Sequence, residues 1–210
     1  MRKLMLGMAA MAVCAGGTAS ALAEDLEILD GQIAQAFAQV LLQAAEKIEK
    51  PIVKIDGDLE KACGVHREQV GLILVPQKDI KPENEAVNTD PGAPLSHLFM
   101  SDGFTLVIDD KPVDASKLRT LSVTAPDGNE LKVRYLTLAA RHTDDDVWHL
   151  YGYGSGEKPL LDARIGEGAG PGSVPLAIEV KDYEDNAGTA YVTILDRYQC
   201  NFKIAYKAPE

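Results

Sequence analysis

Apolar and polar residues alternate one by one through Tyr198–Tyr206. Tyr198, Cys200, Phe202, Ile204 and Tyr206 hold the even positions, and Gln199, Asn201, Lys203 and Ala205 the odd ones. Neighbouring side chains of a strand point to opposite faces, so this period predicts a strand with one row on a core and one in water. Leu176, Ile178 and Val180 alternate with Ala177, Glu179 and Lys181 in the same way. Tyr191–Leu195 is apolar on both faces, which suits a central strand. If Asp196-Arg197 turns that strand into the terminal ribbon, Leu195 opposes Tyr198, Thr193 opposes Cys200, and Tyr191 opposes Phe202.

Near the N-terminus the period changes. Leu26, Leu29, Ile33, Phe37, Val40, Ala44 and Ile48 recur every three or four residues, which predicts a helix over about 26–49. Asp30 is placed to cap its main body, Lys47 and Lys50 suit the negative end of its dipole, and Pro51 stops it. Pro51–Ile55 reads as a short strand. Asp58–Val65 fits either a helical turn capped by Asp58 or a strand carrying Cys63. Gln69–Pro76 reads as a well-buried strand. Residues 77–96 place Pro82, Pro91 and Pro94 among acidic residues and asparagines, the composition of a long exposed loop.

Strands are expected at Leu98–Met100 and Phe104–Ile108, with a turn at Ser101-Asp102-Gly103 and another at Asp109–Pro112. Leu118–Thr124 and Leu131–Ala140 form a hairpin whose loop, Pro126-Asp127-Gly128, suits a type I turn with a left-handed glycine and bulge. That loop sets Val123 against Leu131 and Leu121 against Val133, whereas a two-residue loop would set Val123 against Lys132. A four-residue loop at Thr143–Asp146 would place Arg141 opposite Trp148 and His142 opposite Val147. Leu160–Ala163 is a weak strand, and Gly166–Gly172 a glycine-rich loop. These elements predict a mainly β (α+β) fold, an antiparallel sheet or a two-layer β-sandwich with one long N-terminal helix packed on it.

The first residues carry an address as well as structure. Met1-Arg2-Lys3 is basic, Leu4–Ala15 is apolar, and Ala21-Leu22-Ala23 presents small residues before Glu24-Asp25. That layout is a Sec-type bacterial secretory leader, too short to span a bilayer, with 1–23 removed and 24–210 remaining as one domain. Lipidation at Cys14 is disfavoured by Val13, where a small residue is required. The expected location is periplasmic or extracellular, with no membrane span in the mature chain. Loss of Arg2 and Lys3 leaves 19 of the 21 basic residues against 32 acidic ones, a net charge of −13. Such a surface repels phosphate backbones, so nucleic acid is not an expected partner; a protein or polymer of the envelope is. The even pair Cys63 and Cys200 in an exported chain predicts a disulfide.

Chemistry is less legible. In the predicted hairpin His142 and His149 share a face beside Asp144 and Asp146, a set that could hold Zn²⁺ or a similar ion weakly. Trp148, Tyr151 and Tyr153 form a candidate binding surface for sugars or a partner's side chains. Gly152–Lys158 fails as a phosphate loop, because its spacing is wrong and Pro159 stands where a hydroxyl is needed. Ser155 and Ser173 fail as elbow nucleophiles, with Tyr153 and Pro171 where glycine is required. No cofactor is implied. The expected role is a non-catalytic binding or structural module of the cell envelope. The alternatives are a hydrolase of an envelope polymer using paired acids, Asp109 with Asp110 or Asp144–Asp146, and a weak metal-binding protein.

Overall fold

The computed structural model describes residues 26–68, 70–80, 91–124, 128–143, 147–168 and 175–208. The leader, most of the proline-bearing loop, Ala125–Asp127 at one hairpin tip, Asp144–Asp146 and most of the glycine-rich loop lie outside these residues. In chain order the elements open with β1 (Glu27–Ile28), helix α1 (Gly31–Ala45), β2 (Cys63–Arg67), β3 (Val70–Pro76) and β4 (Ala93–Ser101). Then come β5 (Phe104–Ile108), β6 (Lys111–Pro112), β7 (Arg119–Thr124), β8 (Glu130–His142) and β9 (Trp148–Tyr153). The chain finishes with β10 (Leu161–Glu167), β11 (Leu176–Glu184), β12 (Ala187–Ile194) and β13 (Tyr198–Tyr206).

Every pairing is antiparallel, in the order β1-β2-β3-β4-β8-β9-β10-β13-β12-β11, with β7 also on β8 and β5 also on β13. The sheet curls into two facing layers. β10 is the corner, pairing β9 over Leu161–Ile165 and then β13 at Gly166 and Glu167. Leu72, Leu74, Leu98, Leu136, Leu138 and Leu150 of the first layer meet Leu176, Val192, Cys200, Phe202 and Ile204 of the second in one buried cluster. The outer face of the second layer is wet, with Asn201 and Lys203 exposed. The first layer is covered outside as well, by α1 and by residues 52–55, which is why β3, β4 and β8 are apolar on both faces.

The terminal ribbon behaves as its alternation predicts: Cys200, Phe202 and Ile204 are buried. The β7–β8 hairpin keeps its expected register, Val123 with Leu131 and Leu121 with Val133. The β12–β13 register is one residue off the expectation, with Ile194 on Tyr198, Val192 on Cys200 and Ala190 on Phe202. The turn takes three residues rather than two, Leu195 and Asp196 both adopting positive φ (52° and 58°). That register sends Ala190, Val192 and Ile194 inward together, which the two-residue turn would not.

Helix α1 is shorter than its stripe suggests. Glu27-Ile28 pairs with β2 instead, and Asp30 Oδ1 accepts from the Gln32 and Ile33 amides to cap the helix at its true start. The buried face is Ala34, Ala38, Leu41 and Ala45, turned from the predicted stripe, and Ile33 is 48% exposed. Pro51–Ile55 pairs with no strand; Val53 instead packs on Ala139 and Tyr153. Asp58–Val65 turns out to be both of its readings in succession, a 3-10 turn at Leu59–Lys61 capped by Asp58 and then β2. The expected loop at 77–96 ends early, since Ala93–Ser101 is β4.

The predicted disulfide is not formed: Cys63 and Cys200 are free thiols. Cys63 Sγ leans on the Leu176 carbonyl of β11 (3.4 Å), while Cys200 sits on β13, and β12 runs between those two strands. Each thiol instead faces a backbone carbonyl, Cys200 Sγ that of Val192 at 3.8 Å, whereas a disulfide needs the two sulfurs about 2 Å apart. Burial pushes both thiols up to about 12.

Candidate functional site

The side of the first layer that carries α1 is not packed flush. On β2, Cys63 and Val65 face the inter-layer core, so Gly64 and His66 face outward; on β3, Ile73 and Val75 face outward with Gly71. Of these two glycines Gly71 lines the hollow beside the helix, and it leaves the sheet floor low there. Neither can gain a side chain, since a Cβ at Gly64 would lie 2.5 Å from the Leu72 carbonyl oxygen and one at Gly71 2.4 Å from that of Val65. Above this floor the helix buries Ala34, Ala38, Leu41 and Ala45, while Ile33 stays about half-exposed at the side.

The result is a cleft of about 330 Å³. Ile33, Phe37 and Leu41, spaced by four along α1, form one wall with Leu29 before it. Ile73, Phe99, Val123, Leu131 and Val133 form the floor. The polar groups gather at one end of the strands: His66, Glu68, Ser101 and Asn129. Ser101 Oγ accepts the Gly71 amide (2.9 Å), which leaves its own proton to donate. No lysine or arginine lines the cleft. Such a concave apolar site with a few convergent polar groups is the usual form of a small-molecule pocket.

No family model, characterised protein or solved structure matches this chain. Its sites stand on geometry alone.

The residues singled out from sequence are scattered. His142 pairs with Trp148 and Arg141 with His149, one residue away from the expected register, so His142 and His149 emerge on opposite faces of the sheet. The loop is tighter than assumed, with the Thr143 amide and hydroxyl both donating to the Val147 carbonyl (2.8 and 2.9 Å). His142 packs on Trp148, while His149 Nδ1 contacts Asp162 Oδ1 at 2.5 Å and stacks on Tyr151. The two imidazoles cannot share an ion, and Asp144 and Asp146 lie outside the described residues. Among the described residues no three histidines, cysteines or acids gather as ligands.

The aromatic surface divides in the same way. Trp148 points toward the mouth between the layers, beside Ile165, Ile194 and Tyr198 in a second hollow of about 140 Å³. Tyr151 and Tyr153 face the other side, and Tyr153 is buried, its hydroxyl donating to the Pro91 carbonyl (3.0 Å). Asp109 and Asp110 form the exposed two-residue turn between β5 and β6, both at positive φ. Asp110 pairs with Lys203 (2.6 Å), and that ammonium holds its carboxyl below the usual range. A general acid needs the opposite shift, in a cleft.

Sequence reading missed one buried cluster. His97, Phe99 and Tyr135 stack on the outer face of β4 and β8, with centroids 5.2–5.7 Å apart. The His97 ring donates to the Ile55 carbonyl, and the Tyr135 hydroxyl donates to Nδ1 (2.8 Å), which together suit a neutral imidazole. Burial holds His97 down at about 4, the Ile55 carbonyl opposing it, and pushes Tyr135 up. The available signal was a histidine directly before the apolar run Leu98-Phe99-Met100.

Proposed function

We propose that this chain is an exported, non-catalytic binding module of the bacterial cell envelope, and that its site is the cleft between α1 and the first layer. The observation that carries the reading is the hollow itself: an apolar wall, an apolar floor and one polar end, with Gly71, which cannot take a side chain, in its lining. Of the acids considered for hydrolysis, Asp109 and Asp110 sit on an open turn and give the enzyme alternative no support, while Asp144–Asp146 lie outside the described residues. The leader's layout supports export. No helix among the described residues is long and apolar enough to cross a membrane.

Titration of the mature chain with Nile red, an uncharged dye that brightens in apolar surroundings, tests the site. Saturable binding at one dye per chain, accompanied by a rise in Tm, is the expected result, because a ligand that prefers the folded state stabilises it. A linear, non-saturating signal with no change in Tm would reject the reading.

A further inference from the structure

The polar end of the cleft narrows the class of ligand, and this step rests on the binding reading above. Glu68 is the charged acid at that end, held on an exposed turn at φ 51°. Among the described residues no lysine or arginine lines the site, so His66 is the one basic side chain there that a carboxylate or phosphate head would meet beside Glu68. Like charges brought together in this way are strongly disfavoured. A hydroxyl, in contrast, finds partners of both kinds. Glu68 accepts a hydrogen bond and Ser101 Oγ donates one, with the polar Asn129 beside them.

The space sets the tail. About 330 Å³ lies at the low end of small-molecule pockets, enough for one aliphatic chain and too small for a two-tailed lipid. The chain-facing surfaces, Ile33, Phe37, Leu41, Ile73, Phe99 and Val133, offer nothing polar to a chain lying along the helix. We infer that the cleft takes a single-chain amphiphile with an uncharged, hydroxylated head, such as a monoacylglycerol or a long-chain alcohol. The tail lies between α1 and the sheet, and the head sits at Glu68, Ser101 and Asn129.

Displacement of Nile red by amphiphiles of one chain length, all kept below their micelle concentrations, tests this directly. Monolauroylglycerol should displace the dye about tenfold more strongly than dodecanoate. Glu68→Lys should erase or reverse that preference, since the rim then attracts the carboxylate. Ile33→Trp, on a half-exposed rim position where the fold tolerates it, should fill the cleft and abolish displacement by both. Equal or stronger displacement by dodecanoate or dodecyltrimethylammonium would overturn the neutral head while leaving the binding reading intact. A preference unmoved by Glu68→Lys would remove the head from this end of the cleft. Failure of Nile red itself to saturate would remove the binding reading together with the ligand class.

Discussion

The strands β3, β4 and β8 show two faces built to different rules. Toward the second layer they present Leu72, Leu74, Leu98, Leu136 and Leu138, all fully buried, which interdigitate with the branched and aromatic residues opposite. On the opposite face the same strands present Phe99 and Tyr135 to α1, with Gly71 nearby, and His97 to residues 52–55, where its ring meets the Ile55 carbonyl. The inner face gains stability from close packing. The outer face keeps a neutral histidine, a hydrogen-bonded tyrosine and an unfilled hollow. The difference shows where this molecule can spare packing, and so where binding has room to occur.

The largest test falls on the inner face. Leu98 stands between Leu74 and Leu136 on the neighbouring strands. Leu98→Ala should cost about 3 kcal/mol, read as a shift in the urea midpoint at unchanged m-value. A loss below about 1 kcal/mol would mean that the inner face is as loosely filled as the outer one.

A second test of similar size falls on the outer face and is driven by pH. His97 titrates near 4 in the folded chain and near 6.5 when unfolded. Between those values the unfolded chain takes up a proton that the folded one refuses. Stability is therefore full above about pH 6.5, falls as the pH drops toward 4, and levels off below that, by about 3 kcal/mol in all. Urea unfolding at pH 7 and pH 4 measures the fall, and His97→Gln should remove most of it by removing the titrating group. An identical pH dependence in the variant would assign the acid sensitivity to other groups.

The smallest expected effect has the opposite sign. Ser96 is the buried polar residue in the inner row of β4, and its Oγ has no hydrogen-bond partner among the described residues. Ser96→Ala should be neutral or stabilise by up to about 1 kcal/mol, because it removes an unpaired hydroxyl for little loss of volume. A loss above about 1 kcal/mol would show that the hydroxyl has a partner and that the inner face contains a polar contact after all.

Much of the fold was legible because strand alternation and turn chemistry act locally. The terminal ribbon and the β7–β8 hairpin each carried their faces, and Pro126-Asp127-Gly128 carried a register. Two other registers were displaced by one residue, at Leu195–Arg197 and at Thr143–Val147. In both cases burial of whole strand faces decided the loop length, and two short loops differ little in local preference. That single step also dissolved the histidine pair, because a one-residue slip moves a side chain to the other face. The helix face was misread for a different reason. A stripe drawn through the largest apolar residues favours Ile33 and Phe37, but a helix lying close to a sheet seats its smallest residues at the contact. The cleft was hidden by the same effect. It is made partly of an absent side chain, at Gly71, and partly of the large helix residues Ile33 and Phe37 that form its wall.

β13 is hydrogen-bonded to β12, β10 and β5, and β5 lies roughly half the chain upstream of it. The β3–β4 and β7–β8 ribbons join neighbouring segments, whereas β13 joins β5 across a long stretch of chain. Contacts between such distant segments are entropically costly and slow to form. Joining β13 to β5 is therefore the expected slow step of folding, set by the span of chain that has to be gathered rather than by local strand preference.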